Sequence, residues 1–531
     1  MFFEINLIFL GKIGIIYTNF FLKGLQIMKK YITTPIYYTN GAPHIGHAYT
    51  TILADVFKKF EQMKGNEVFF STGTDEHGQK NQHSCEAAGL PIDTFLAQQS
   101  QLFKDLFDRM DLNYDHFIRT SCDDHKNVVR RVLQDLYDRG LIIKKSYEGL
   151  YCEGCEQFKK KTDLDENGLC PDHKKAPKVV SEENYFFRLE PHRQWLKDYI
   201  ISHPDWITPA NYAKEVLGML EEPLDDLCIS RPKNRVWLGI ELPFDSDFVT
   251  YIWFDALINY ISILKWGENA DFNSYWQNSY HLLAKDILKP HCVYWPIMLK
   301  AIGIDPVKHC VVHGYWIGEG GVKMSKSLGN VVDPNEVIDI MGVEPLRFYL
   351  INNMGVTSDS PISIGLLKQG YKQLANSLGN LQMRVLKMVD KNLAGQIPAD
   401  VSLTADDEAL LQKIASDFTS IYKKDITLET AIELANKVME SSNALNTYFA
   451  NNEPWVLVKD PAQMERFKQV VYTTLDALRL IAIALYPLMP KASESILQSM
   501  AVNQKPTAHF EAKQLSSGQI TVPQPLFPFL G

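Results

Sequence analysis

Apolar positions fall into three successive regimes along this chain. Residues 30–34 form a β-rich run, after which Ile52, Leu53, Val56, Phe57 and Phe60 recur at helical spacing across 48–60. A strand at 67–72, a helix over 92–110, a strand near Phe117 and a helix over 123–139 continue the alternation, with Gly65 and Gly140 at helix C-cap positions. Strands separated by helices predict a parallel sheet with right-handed crossovers, the doubly wound α/β class. Around Leu141 the alternation stops. It resumes at 249–256, read as a buried strand running into a helix, and continues with strands at 281–284 and 310–313. One sheet is thus expected to be split by an insertion of roughly a hundred residues, a domain-sized length. After about Gly370 only helical spacing remains. Leu410, Leu411, Ile414, Phe418 and Ile421 form one stripe, Leu428, Ile432, Ala435, Val438, Met439 and Leu445 a second, and Phe467, Val470, Val471, Leu475 and Leu478 a third. These predict an all-α bundle, followed from about Gln504 by a poorly anchored tail.

Composition changes this picture little. The chain has 531 residues, 46% apolar and 22% charged, which supports several domains of globular type. Its net charge of −9 does not advertise a nucleic-acid binder, although Lys159-Lys160-Lys161, Lys174-Lys175 and Lys423-Lys424 are local basic stretches. Eight scattered cysteines do not make a secreted disulfide framework. The apolar start breaks at Gly11-Lys12, too early to span a bilayer, and Glu4 spoils a signal peptide. The expectation is that translation starts at Met28 and that the protein is cytoplasmic, without a membrane partner.

Candidate chemistry gathers where strands end. Thr34 to His47 reads Thr-Pro-Ile-Tyr-Tyr-Thr-Asn-Gly-Ala-Pro-His-Ile-Gly-His and forms a strand-to-helix turn, whose backbone N–H groups suit an anionic ligand. His44 and His47 lie one helical turn apart, and Gly46 leaves room for a ligand at the backbone. Far downstream, Lys323-Met324-Ser325-Lys326-Ser327 follows Gly318, Gly320 and Gly321, a cationic clamp behind a glycine hinge. Asp75-Glu76-His77-Gly78 sits just past the second strand. Within the insertion, Cys152-x2-Cys155 and Cys170-x2-His173 supply four ligands at the spacing of a tetrahedral, structural zinc site.

The His-Ile-Gly-His turn followed by Lys-Met-Ser-Lys-Ser resembles the paired signatures of class I aminoacyl-tRNA synthetases. With Pro35-Ile36-Tyr37-Tyr38, Trp253-Phe254-Asp255-Ala256, and Lys285-Asp286-Ile287 ahead of His291 and Trp295, the chain is similar to the methionyl-tRNA synthetase family from Met28 to about Met500. The resemblance implies a Rossmann-type catalytic domain and activation of L-methionine by ATP with Mg2+, followed by transfer to tRNA(Met). It implies that His44, Gly46, His47 and Lys326 contact ATP and that Lys323 assists. By the same resemblance Asp75 holds the substrate ammonium, while Ile36, Tyr38, Trp253, Ala256, Tyr260, Ile287, His291 and Trp295 wall a thioether pocket. Asn380, Arg384 and Trp455 would read the CAU anticodon, and Cys152, Cys155, Cys170 and His173 would hold one Zn2+.

The implied division is a leader at 1–27, the first catalytic half at 28–140 and the zinc-binding connective insertion at 141–247. The second catalytic half follows at 248–318, the clamp loop and stem-contact region at 319–375, the anticodon-binding bundle at 376–503 and a tail at 504–531. A chain that ends soon after its bundle is expected to be a monomer. Isoleucyl, valyl and leucyl enzymes share both signatures but carry a longer insertion, and a cysteinyl enzyme would place metal ligands in the amino acid pocket. The alternative of another class is a noncatalytic, synthetase-derived tRNA-binding protein.

Overall fold

The computed structural model describes residues 27–152, 157–159, 161–171, 174–321, 324 and 331–530. Strand β1 (Lys29–Tyr38) leads through the 39–44 turn into helix α1 (Ile45–Met63). Strand β2 (Glu67–Asp75) is followed by α2 (Gln79–Ala88), which the periodicity reading did not anticipate because its sequence, Gln-Lys-Asn-Gln-His-Ser-Cys-Glu-Ala-Ala, has no apolar stripe. Helix α3 (Ile92–Arg109), strand β3 (His116–Arg119) and helix α4 (Asp123–Asp138) complete the first half. The insertion contributes a four-stranded antiparallel sheet, made of β4 (Ile142–Cys152), β5 (Gln157–Lys159), β6 (Lys178–Phe187) and a short strand at Leu227–Cys228.

The central sheet has six parallel strands. Its order runs β3, β2, β1, then Ser279–Ala284, His309–His313 and Ile207–Thr208. The two sequence halves therefore join directly, since β1 pairs with β2 on one side and with Ser279–Ala284 on the other. Strand order reverses between those two, which opens a crevice at the carboxyl ends where ligands bind in sheets of this kind. The sixth strand, Ile207–Thr208, comes from within 141–247.

One expectation is corrected here. Residues 249–256 are not a strand of the parallel sheet. Asp245–Thr250 pairs antiparallel with Ser230–Pro232 and Glu241–Leu242 in a separate three-stranded sheet, and helix α5 (Ile252–Ser262) starts two residues later. A continuous apolar run does not by itself distinguish a buried strand from the start of a buried helix.

The helical part packs directly on the catalytic half. Helix α6 (Val343–Asn352) lies against α1, and the bundle is built from α7 (Asn380–Leu393), α8 (Ala405–Tyr422), α9 (Leu428–Asn451) and α10 (Met464–Leu485). Thr404 and Asp407 form a capping box at the start of α8, and Thr427 caps α9, so two N-termini are fixed by side chains placed for that purpose. One apolar cluster runs without a break from Ile52 and Phe57 on α1 into Phe418 and Leu478, and Phe60 stacks on Tyr422 with ring centroids 4.3 Å apart.

The C-terminal segment is anchored, contrary to expectation. Phe510, Leu515, Ile520 and Phe527 are buried. The Asp476 carboxylate accepts from the Lys513 and Leu515 backbone N–H groups, and the Ala508 N–H donates to the Met63 carbonyl. These four apolar residues are spaced five, five and seven apart, so neither helix nor strand periodicity reveals them. The expectation that 1–27 is a leader falls, apart from Ile27, outside the described residues. Among the described residues no helix is long and apolar enough to cross a membrane.

Candidate active site and anticodon-binding face

The site grows from the turn between β1 and α1. His44 is the N-cap of α1: its Nδ1 accepts from the Gly46 N–H at 3.1 Å, and the His47 Nδ1 accepts from the His44 N–H at 3.2 Å. This is a reciprocal capping box made by imidazoles, and the two rings stack with centroids 3.7 Å apart. Because each Nδ1 is an acceptor, the proton of each neutral ring sits on Nε2, which leaves an N–H donor at the helix N-terminus. His47 is packed between Tyr37 and Phe103, with centroids 4.6 and 5.3 Å away, and burial plus the neighbouring His44 hold its pKa well below the ordinary imidazole value. His44 is lowered too, by desolvation.

Tyr38 ends β1 in register with Asp75 at the end of β2, and Ile36 lies opposite Gly73. Asp75 is buried, and Asn81 straps its turn by donating to the carbonyls of Asp75 and His77. Across the crevice, α5 contributes partly buried Trp253 and buried Ala256 and Tyr260. The Tyr260 hydroxyl donates to His291 Nε2 at 2.8 Å, while His291 Nδ1–H donates to the Ile287 carbonyl at 2.9 Å. Trp253 meets the His291 ring edge-on at 6.1 Å, and Trp295 lies 6.0 Å from Tyr260. The structure therefore gathers Trp253, Tyr260, His291 and Trp295 into one aromatic wall, to which Ile287 is tied through its backbone carbonyl.

His281, which the sequence reading did not single out, completes this wall. It stacks on Tyr260 at 3.9 Å, accepts from Trp295 Nε1–H on Nε2 and bonds Thr33 Oγ1 through Nδ1. A histidine in a strand of apolar neighbours was its only signal. His313 is likewise unanticipated: its Nδ1–H donates to the Gly314 carbonyl, and its Nε2 meets Thr50 Oγ1 on α1 at 2.8 Å. Arg231 is also buried, with its guanidinium over the Tyr251 and Tyr151 rings.

Burial keeps these imidazoles neutral. It pushes His291 and His313 down to about 4 against the mild opposition of one carbonyl each, and His281 well below its usual value. Their folded pKa values lie below the unfolded value near 6.5, so the folded state binds fewer protons between pH 6.5 and 4. The associated stability is present above pH 6.5 and is lost as pH falls toward 4, about 3 kcal/mol each for His291 and His313, with His281 acting in the same direction. A urea unfolding series across that range is expected to show a steep fall that is shallower in His313→Asn.

The remaining predicted residues divide in two. Lys323 and Lys326 lie outside the described residues, as do Cys155 and His173. Of the four proposed metal ligands, Cys152 and Cys170 are described; both are buried, neither is in a disulfide, and they belong to neither large apolar cluster. Among the described residues no three metal-ligating side chains cluster.

Asn380, Arg384 and Trp455 form a second, separate face on the bundle. Arg384 lies over the Phe449 and Trp455 rings at 5.1 and 5.7 Å, and Asn380 is exposed one turn earlier on α7. Pro454, buried at the first position of a short helix, turns Trp455 outward, 38% exposed. An exposed tryptophan with a guanidinium over its ring is suited to stacking single-stranded bases.

A split parallel sheet, an imidazole-capped helix at its switch point and an aromatic wall beside it stand in a chain that the family match places among the class I aminoacyl-tRNA synthetases. Residues 30–176 and 162–386 match the family described as tRNA synthetases class I (M), and residues 397–529 match the anticodon binding domain of methionyl tRNA ligase. Methionine–tRNA ligase of Deinococcus radiodurans is 37% identical over 90% of this chain and 70% of its own, and that of Streptomyces coelicolor is 36% identical over 88% and 89%. The crystal structure of Mycobacterium tuberculosis methionyl-tRNA synthetase bound by methionyl-adenylate superposes with a TM-score of 0.87 at 31% identity, covering 94% of this chain and all of that one. The chain belongs to the methionine–tRNA ligase family.

Proposed function

We propose that this protein activates L-methionine with ATP to methionyl-adenylate and transfers the methionyl group to tRNA(Met), releasing AMP and diphosphate. The observation that carries the reading is the pair of Nε2–H donors at the α1 N-terminus, set beside Asp75 and the Trp253–Tyr260–His291 wall at one crevice. In the reaction the methionine carboxylate oxygen attacks the α-phosphorus and diphosphate leaves. Catalysis then rests on positioning and on stabilising charge that spreads over the phosphates. His44 and His47 donate to the phosphates, the Gly46 backbone admits them, and Lys326, assisted by Lys323, neutralises the leaving group. Mg2+ accompanies ATP. Asp75 takes the ammonium. Ile36, Tyr38, Trp253, Ala256, Tyr260, Ile287, His291 and Trp295 enclose the thioether, whose polarizable sulfur suits aromatic edges. Tyr260 and His291 already satisfy one another, which makes the wall unreceptive to a side chain that brings an extra polar hydrogen.

Cys152, Cys155, Cys170 and His173 hold one structural Zn2+. The donor chemistry fits: two buried thiols outside the apolar cores, in a segment otherwise dominated by polar residues and turns. Bound there, the ion cross-links the insertion. The divisions at 28–140, 141–247, 248–318, 319–375 and 376–503 then serve as split catalytic domain, metal-braced connector, clamp region and anticodon reader, working in the cytoplasm.

The anticodon assignment has its own test. Trp455→Ala should weaken tRNA binding by about 1 to 3 kcal/mol, the usual worth of one stacked base, and raise KM for tRNA while leaving methionine-dependent ATP–diphosphate exchange unchanged. Equal charging of tRNA by the variant and the parent would remove Trp455 from the interface.

A further inference from the structure

Asp255 lies inside the Trp253–Ala256 segment but has no place among the pocket walls. Its side chain is fully buried and each carboxylate oxygen meets one histidine: Oδ2 accepts from His77 Nδ1 at 2.6 Å, and Oδ1 from His125 Nε2 at 2.7 Å. His125, on α4, is held in turn by Ser262 Oγ at 2.9 Å. His77, only 3% exposed, belongs to the turn that carries Asp75.

That turn is fastened on three sides. The Gly78 N–H donates to the Leu238 carbonyl and the Glu76 N–H to Thr120 Oγ1, while the Glu76 carboxylate accepts from Arg119 Nε at 2.7 Å. His77 supplies the direct link from the turn to α5, two residues beyond Trp253 and one before Ala256. A carboxylate in a dry interior is costly unless each oxygen is satisfied, so the two histidines fix the rotamer of Asp255, and Asp255 fixes that of His77. A buried carboxylate satisfied at both oxygens in this way holds the groups around it in one geometry.

We infer that His77 and Asp255 are a positioning pair, which sets the distance between the ammonium anchor Asp75 and the Trp253–Ala256 wall and so the length of side chain the site accepts. The inference rests on Asp75 as the ammonium partner. Neither residue touches substrate; both act through the elements they join.

The test compares His77→Ala and His77→Asn in full-length enzyme, since an asparagine amide N–H can occupy the place of the imidazole Nδ1–H. The readouts are KM for methionine and for ATP in diphosphate exchange, selectivity for methionine over ethionine, which is one methylene longer, and melting temperature. His77→Ala is expected to raise KM for methionine about tenfold, leave KM for ATP within about twofold and narrow the preference over ethionine, with His77→Asn restoring most of each. Parallel changes in both KM values, an asparagine variant no better than alanine, or unchanged methionine kinetics would overturn it. Asp75→Asn in the same assay separates the two levels. If it leaves KM for methionine unchanged, the ammonium assignment itself fails; if it raises KM while His77→Ala does not, only the positioning role fails.

Discussion

Replacing His47 with alanine is expected to slow methionyl-adenylate formation by about a hundredfold or more, the scale set by removing one preorganised donor from developing negative charge. Two features of the turn raise that expectation. Nδ1 of His47 is committed to the His44 N–H, so Nε2–H is aimed by the backbone itself, and the ring is clamped between Tyr37 and Phe103. No reorganisation is needed at the moment of reaction. Lys326→Ala should produce a loss of similar size, since a cationic side chain on the leaving group acts on the same charge. Both effects belong in the rate constant of single-turnover adenylate formation. The variants should still melt cooperatively, with His47→Ala lowered by about 1 to 3 kcal/mol through the loss of its half of the capping box and of its ring packing against Tyr37 and Phe103. A His47→Ala enzyme forming adenylate at the parental rate would exclude His47 from the phosphate site.

Removing Arg347 is expected to be the most damaging single change to the fold. Its guanidinium is 1% exposed and reaches from α6 to the Asp55 carboxylate of α1 at 2.6 Å and to the Leu488 carbonyl at 3.1 Å. Asp55 also binds Lys59 and the Asn113 N–H. Burial works against the Asp55 carboxylate, but the Arg347 and Lys59 charges outweigh it and hold its pKa below the usual range. Arg347→Met leaves this carboxylate, wholly buried, with one cation in place of two, at an expected cost of about 3 to 5 kcal/mol. Replacing Asp55 and Lys59 by apolar residues as well should recover most of that loss, because the uncompensated charges go together. Urea denaturation of the single and triple variants decides it, and a single variant as stable as the parent would contradict the account.

Legibility in the sequence followed periodicity. Helix α1 and helices α8 to α10 carry clear stripes, and the strands at 30–34, 67–72, 281–284 and 310–313 all lie in the six-stranded sheet. Helix α2 and the docked C-terminal segment did not show themselves, the first because its buried residues are Asn81, Gln82 and Cys85, the second because its anchors are irregularly spaced. Motif spacing pointed to His44 and His47, position past a strand end to Asp75, and the family resemblance to the aromatic wall. It could not reveal His281, His313 or the partners of Asp255, whose roles come from contacts across 248, 263, 178 and 130 residues of sequence. Local pattern identifies elements and the ends of strands, whereas the network that holds a pocket in shape depends on distant side chains meeting.

The most direct measurement is ATP–diphosphate exchange by the purified enzyme with each of the twenty amino acids in turn. Imidazole donors and an aromatic pocket at one crevice predict rapid exchange with methionine and exchange near background with isoleucine, valine, leucine and cysteine. Exchange supported by one of those four and absent with methionine would contradict the assignment of the pocket, and no exchange with any amino acid would contradict the reading of the crevice as a site of adenylate formation.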